Sequence, residues 1–360
     1  SILMKKITSL FGVTAAAAAA TLLFGTAAPI TAFGAAKVDG PAVTWRVSLW
    51  GKRRAFTEGL EHISQELASR TGGKFKFKLY YGEQLSKSKE NLDAISVGAV
   101  DAALFCASYH PQKNAPLNVL DLPFLPLQNF DVMRDVHDAI YAHPIAKNAL
   151  LKWKAVLYQS SILPQYEYMG RGKPPATVAD FKGMRLRALG GMGRSAIAIG
   201  AVPTTVPASE VYNALARGTV DAIGFPFTYA FSAYKVDEVA EWYTTNMSLG
   251  TVNCPIVFNQ DSYAKLPSQY KGLLEELKGP SSKKQQAAYA KKDKENLAAW
   301  PKKMKPVKID PAAMDEFRQK GGEPLWSDWV NENKGDFDAD GLLKLVLKTA
   351  AESCKKHGAC

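Results

Sequence analysis

Two arginines spaced two residues apart carry the strongest chemical signal in the chain. In Asp180-Phe181-Lys182-Gly183-Met184-Arg185-Leu186-Arg187 the pair alternates with Met184 and Leu186. On a strand this puts both guanidinium groups on one face and the apolar pair on the other. An arginine near a strand end, just before the glycine-rich turn Leu189-Gly190-Gly191-Met192-Gly193, suits a carboxylate, which it can meet through two parallel hydrogen bonds. Taken alone it also fits a surface or salt-bridged arginine, and for an unselected arginine that is the commoner case. The glycines could bring backbone N–H groups toward an anion at a helix start, although the dinucleotide spacing with its acidic partner is missing.

Other chemistry is thin. The sequence has no Gly-x-Ser-x-Gly elbow, no His-Glu-x-x-His, no Gly-x-x-x-x-Gly-Lys-Ser/Thr and no Cys-x-x-Cys. Ser86-Lys87-Ser88-Lys89 matches a Ser-x-x-Lys pattern without its companions, and reads as a polar turn entering a helix. His62, His110, His137, His143 and His357 show no metal-ligand spacing. Asp336-Phe337-Asp338-Ala339-Asp340-Gly341 reproduces the start of a calcium loop, but Leu347 stands where a bidentate Glu is required. A helix-capping loop is the better reading. No cofactor, no metal and no catalytic residue is therefore expected.

The elements that would position Arg187 follow from length and pattern. Met4-Lys5-Lys6, an apolar and small-residue stretch from Ile7 to Ala28, and small residues at Ala32 to Ala36 describe a secretory signal peptide over residues 1–36. Subtracting Lys5 and Lys6 from the net charge of +11 leaves about +9. Much of this excess lies in Ser282 to Lys308, where Lys is mixed with Gln, Ala, Asp and Glu. That is the pattern of a solvated helix face rather than a nucleic-acid surface. A positive field still favours anionic ligands at long range. Roughly 320 remaining residues exceed one ordinary core, so two lobes are expected. Cys354 and Cys360, six apart, are expected to close a small disulfide loop in an oxidising compartment. Cys106 and Cys254 sit in apolar surroundings and read as buried thiols.

Thr44 to Trp50 and Lys74 to Tyr80 alternate like strands, and Leu60, Ile63 and Leu67 recur at helical spacing between them before Thr71-Gly72-Gly73. Strand, helix, strand is the order of a parallel α/β layer. An internal echo extends this: Asp93 to Ala102 recurs as Asn213 to Ala222, each copy ending in Gly-x-Val-Asp-Ala. Each reads as a helix end, a glycine able to take the left-handed cap, and a buried strand. Two copies suggest two lobes of similar build. Helices are expected over Tyr263 to Leu277, Ser282 to Trp300 and Pro311 to Asn331, with Pro301 and Pro306 separating the last two.

Several blocks in order, Thr71-Gly72-Gly73-Lys74, Gln84-Leu85, Gly98-Ala99-Val100-Asp101, Leu122-Pro123-Phe124, Asp180 to Arg187 and Glu210 through Asp221, resemble the extracytoplasmic solute receptors of TRAP (tripartite ATP-independent periplasmic) transporters. The resemblance implies an α/β fold, the two-lobed periplasmic-binding-protein type with hinge strands and a long lobe-spanning helix. Lobe one would be residues 41–163 plus 251–281 and lobe two 164–250 plus 282–360, with crossing strands near Tyr158 to Ile162 and Val252 to Phe258. It implies that Arg187 grips a ligand carboxylate in the periplasm, that the lobes close by hinge motion, and that a TRAP membrane permease is the partner. A monomer that binds no nucleic acid is expected.

Departures from the family's better-known members bear on the ligand. Where sialic-acid receptors carry an Asn this chain has Phe225, and receptors for 2-oxo acids and ectoine tend to have an aromatic residue there. A further arginine of the sialic-acid group corresponds to about Glu167. Trp50, Cys106 and Tyr109 from lobe one and Tyr166 from lobe two are expected to complete the pocket. The expected ligand is a 2-oxo acid or aromatic monocarboxylate. A zwitterionic amino acid or ectoine-like ligand meeting Glu167 is the near alternative, and a periplasmic hydrolase or lyase the remote one.

Overall fold

The computed structural model describes residues 38–360. The expected leader over residues 1–36 lies outside the described residues. No described helix is long and apolar enough to cross a membrane.

Two sheets organise the chain. The first comprises β1 (Val43–Ser48), β2 (Phe75–Tyr80), β3 (Ala102–Leu104), β4 (Ala155–Ser160) and, much later, β10 (Pro255–Asn259), in the order β2-β1-β3-β10-β4. The second comprises β5 (Tyr166–Gly170), β6 (Arg185–Arg187), β7 (Val202–Thr204), β8 (Ala222–Pro226), β9 (Trp242–Thr244) and β11 (Lys305–Val307), in the order β11-β9-β5-β8-β6-β7. The expected parallel layer is present: β1 runs parallel to β2 and β3, and β6 parallel to β7 and β8. Alternation explains β2, whose Phe75 and Phe77 are buried while Lys76 and Lys78 face water.

The internal echo is repeated bond by bond. Helices Asn91–Ser96 and Val211–Ala216 each precede a glycine, Gly98 or Gly218, with φ of +73° in both. Such a φ strains any residue with a Cβ, which is why glycine recurs there. The aspartate that follows exchanges backbone bonds with the arginine of a neighbouring strand. Asp101 N donates to Arg46 O and Asp101 Oδ2 accepts from Arg46 N, while Asp221 N donates to Arg185 O and Asp221 Oδ2 accepts from Arg185 N. Each unit thereby locks its new strand beside an existing one.

The chain crosses between the sheets twice. It leaves β4 at Ser160 and enters β5 at Tyr166, then returns from β9 to β10 through residues 245–254. The two crossings are stitched together by Ser161 N to Cys254 O, Tyr166 N to Gly250 O and Leu249 N to Tyr166 O. A 32-residue helix, Ser268–Ala299, spans both halves. Its first half buries Tyr270, Leu273, Leu274 and Leu277 beside the helix Glu58–Arg70. Toward its other end, Asn296 Nδ2 donates to Thr228 Oγ1 and Ser232 Oγ beyond β8.

The sequence pattern splits this helix in two, and the structure joins it through Pro280. A proline removes one ladder bond, but side chains from the first half hold the carbonyls nearby: Tyr158 Oη donates to Leu274 O, and Gln159 Nε2 to Lys278 O. Conversely, the helix expected over Pro311 to Asn331 is two, Pro311–Gly321 and Glu323–Asn333, broken at Gly322. The C-terminal helix Ala339–Lys356 corrects the placement of all of 282–360 with the second lobe. Its stripe of Leu342, Val346 and Ala350 shares a buried cluster with Val132, Val136 and Ile140 of the helix Phe130–Ala142, on the first sheet's side. Ser353 Oγ adds a hydrogen bond to Asp135 at 2.6 Å.

Candidate functional site

β6 and β8 carry the two residues around which the site is built. Arg187, the last residue of β6, is 1% exposed. Its guanidinium donates from Nε to Val206 O at 2.9 Å, from Nη1 to Gly224 O at 2.9 Å and from Nη2 to Tyr109 Oη at 3.1 Å. Its carbon centre lies 4.7 Å from the centroid of the Phe225 ring. Every partner is neutral, and no carboxylate among the described residues pairs with it. A buried cation without a counter-ion is costly unless an anion arrives.

Arg185 has the opposite fate. On the same strand face but at the outer end, its side chain is 50% exposed and pairs with Asp221 at 2.8 Å. The alternation read from the sequence thus produces one exposed arginine paired with a carboxylate and one buried arginine with neutral partners only.

Around Arg187 lies a cavity of about 30 Å³ between the sheets, room for roughly one or two waters. Trp50 follows β1, and Cys106 and Tyr109 follow β3, from the first sheet; Phe225 closes the side of β8; Tyr166 enters from the crossing segment. The structure brings together six of the seven expected residues. Tyr109 joins the halves, because its Oη also accepts from Ala208 N at 3.1 Å.

Glu167 is not among them. It stands opposite Phe225 in the β5–β8 register, yet its carboxylate is turned toward β9 and the chain beyond it and does not line the cavity; the residue is 3% exposed. Its carboxylate accepts from Thr244 Oγ1 (2.8 Å), Met247 N (2.9 Å) and Ser248 N (2.6 Å). Burial pushes its pKa up to about 7, against the pull of those donors. Its role is to tie β5 to the chain leaving β9.

Two further expectations are corrected. Cys106 and Cys254, read as buried thiols, form a disulfide, because β3 and β10 are antiparallel neighbours and bring the residues flanking them together. The pair Cys354–Cys360 is bonded as expected. The glycines after Arg187 serve packing: a Cβ on Gly190 would lie 2.8 Å from Ser108 Oγ, and one on Gly191 2.5 Å from both Asp121 O and Pro123 Cδ. They let the helix Gly190–Ala198 approach residues 121–123 from the other half. Asp338 caps the helix Ala339–Lys356, with Oδ1 accepting from Gly341 N at 2.9 Å, so the calcium-like loop works as the capping loop expected of it.

The sequence reading missed Arg54, Phe56, Tyr229 and Tyr234, which also line the cavity. Tyr229 and Tyr234 follow β8 and Arg54 follows β1. A position just after a strand end, where Trp50 and Tyr109 were sought, was the available signal.

Two sheets joined by paired crossings, with a buried unpaired arginine between them, define a two-lobed binding protein. A family model for bacterial extracellular solute-binding proteins, family 7, matches residues 47–333, and the chain belongs to that family. It is 26% identical over 302 residues to a solute-binding protein of Albidiferax ferrireducens, covering 81% of this chain and 85% of that one. To the C4-dicarboxylate-binding periplasmic protein DctP of Rhodobacter capsulatus it is 27% identical over 222 residues, 61% of this chain and 65% of that one. Among solved structures, a TRAP solute-binding protein from Rhodoferax ferrireducens in complex with copurified benzoate superposes with a TM-score of 0.78 at 20% identity, covering 88% and 100% of the two chains. A marine metagenome TRAP solute-binding protein in complex with 3-hydroxybenzoate gives a TM-score of 0.78 at 19% identity, covering 87% and 99%.

Proposed function

We propose that this protein is the periplasmic receptor of a TRAP transporter and captures a small organic carboxylate between two closing lobes. The observation that carries the reading is Arg187, buried between the sheets with neutral partners only. The sheets, with their helices, act as the lobes, divided near residues 163 and 251. In a dehydrated cleft the arginine–carboxylate attraction strengthens and biases the closed population. A cavity of about 30 Å³ is smaller than any such acid, so the lobes must part to admit one. The permease then recognises the closed, loaded form. Binding and release, without bond chemistry, is the mechanism.

The relatives named for C4-dicarboxylates and for a monocarboxylate 2-oxoacid, and the neighbours holding benzoate and 3-hydroxybenzoate, support an organic acid bound through its carboxylate. The zwitterion alternative loses its ground, since no Asp or Glu lines the cavity and the Glu167 carboxylate is taken up by Thr244, Met247 and Ser248. Thermal melting with a panel of benzoate, pyruvate, succinate and an amino acid tests the reading. A receptor is stabilised by one or more of the acids and returns them chemically unchanged. Turnover of any of them, or stabilisation by the amino acid alone, would contradict it.

A further inference from the structure

Arg187 is not the only cation on the cavity. Arg54, from the loop after β1, lines it from the first sheet. Its Nη1 is spent on Trp50 O at 2.9 Å and Lys52 O at 2.8 Å, which fixes the loop, but its Nε is buried without a hydrogen-bond partner. The guanidinium lies among three rings, 5.5 Å from the centroid of Trp50, 5.1 Å from Phe56 and 5.4 Å from Tyr234. Like Arg187, it is paired with no carboxylate among the described residues. Trp50 Nε1 and Tyr234 Oη lie buried on the same wall, close enough for the indole N–H to approach the hydroxyl oxygen. A guanidinium with a buried, unpartnered Nε and no counter-ion, on the wall of a cavity that already holds a second cation, marks the place of an anionic acceptor.

Behind Arg54 the surface continues into a groove of about 240 Å³ that shares Arg54, Tyr229 and Tyr234 with the cavity and adds Lys52, Arg53 and Lys292. Arg53 and Lys292 are engaged by Glu58 and Glu295, and no acidic residue lines the groove. The distal end of the site is therefore positive, donor-rich and continuous with solvent.

We propose that Arg54 is a second, specificity-determining anchor that binds an anionic group at the end of the ligand remote from the carboxylate held by Arg187. This rests on the carboxylate-receptor reading and narrows it to acids carrying a second acidic group. Two guanidinium groups facing one dehydrated cavity repel each other, and a doubly charged ligand compensates both where a singly charged one leaves Arg54 without a counter-ion. Tyr234, whose hydroxyl proton stays free when its oxygen accepts from Trp50, would add a donor for the distal oxygens.

Calorimetric titration of the full chain with isophthalate, 3-hydroxybenzoate and benzoate, and with succinate against butyrate, tests the assignment. In at least one matched pair the diacid should bind the wild type about tenfold or more tighter than its monoacid. Arg54→Gln should reduce that ratio to about twofold or less, chiefly through weaker diacid binding. Should Arg54→Gln loosen the loop, Arg54→Lys keeps the charge and should retain part of the preference. Monoacids bound as tightly as diacids in both series, or a diacid preference that survives in Arg54→Gln, would overturn the inference and leave the receptor reading standing. Failure of every acid to bind would remove the receptor reading itself.

Discussion

Tyr109, in the turn after β3 of the first sheet, and Arg187, at the end of β6 in the second, meet through a 3.1 Å hydrogen bond from Arg187 Nη2 to Tyr109 Oη. The same oxygen accepts from Ala208 N, so one side chain of the first half satisfies two donors of the second. The bond does two things: it helps hold the halves together, and it occupies a guanidinium nitrogen with a neutral acceptor that a carboxylate can outcompete.

Tyr109→Phe keeps the ring and removes the acceptor. Two buried donors then lose a partner in the closed form, at a cost of roughly 1–3 kcal/mol. The ligand-free protein should accordingly spend more time open, read as a longer mean distance between spin labels placed on the two sheets. Identical distance distributions in wild type and variant would show that this bond does not hold the halves together.

The disulfides should differ in worth. Cys106–Cys254 closes a loop of 148 residues and Cys354–Cys360 one of six. On chain entropy alone the first is worth up to about 5 kcal/mol and the second about 2. Replacing Cys106 and Cys254 together by Ala should lower the melting temperature more than the equivalent change at Cys354 and Cys360. Non-reducing peptide maps should recover both crosslinks from exported protein, and a free thiol at Cys106 would contradict the bridge.

Stability should depend on pH through Glu167. Its folded pKa, near 7, stands above the ordinary carboxylate value of 4.5 because burial disfavours the charge. Between those values the folded state binds more protons than the unfolded one, so stability falls as pH rises through the window, by up to about 1.4 kcal/mol per pH unit. Burial raises Asp121 from 3.8 to about 7 and adds a slope of the same sign. Buried His110 and His137, pushed down from 6.5 to about 4 and about 3, add slopes of the opposite sign below pH 6.5, so the readout is the difference between wild type and Glu167→Gln: the melting temperature of the wild type relative to the variant should fall as pH rises from 4.5 to 8. Because the Glu167 carboxylate is bonded to Thr244, Met247 and Ser248 and does not line the cavity, this variant should also keep wild-type affinity for carboxylates. A large affinity loss would bring the residue back to the ligand.

Much of this was readable from local pattern, and what was missed lies where distance in sequence hides nearness in space. Alternation around Phe75 and Phe77, the glycines at 98 and 218, and Arg187 on a short strand are local facts that packing preserved. The Cys106–Cys254 bridge depends on β10 returning beside β3 after an excursion through the second sheet, which no local pattern reports. Glu167 was misplaced because matching it to a ligand-binding position of relatives says nothing of the donors near it in space; Thr244, Met247 and Ser248, some eighty residues on, hold its carboxylate. The helix Ser268–Ala299 runs on through Pro280, where one ladder bond is lost, and its packing on either side of that point, which no local pattern reports, joins what the sequence splits. Arg54 was overlooked because an arginine beside Lys52 and Arg53 looks like part of a solvated run until three aromatic rings enclose it.

The central claim is that Arg187 holds the ligand carboxylate. Isothermal titration of wild type, Arg187→Lys and Arg187→Ala, with whichever acid of the panel stabilises the wild type most, tests it directly. The Ala variant should lose at least about 2 kcal/mol, roughly thirtyfold in affinity, since a buried charged hydrogen bond disappears and the carboxylate is left unpaired. Lys should recover only part, because a point charge cannot reproduce the planar fork. A folded Ala variant that binds the acid with wild-type affinity would contradict the account.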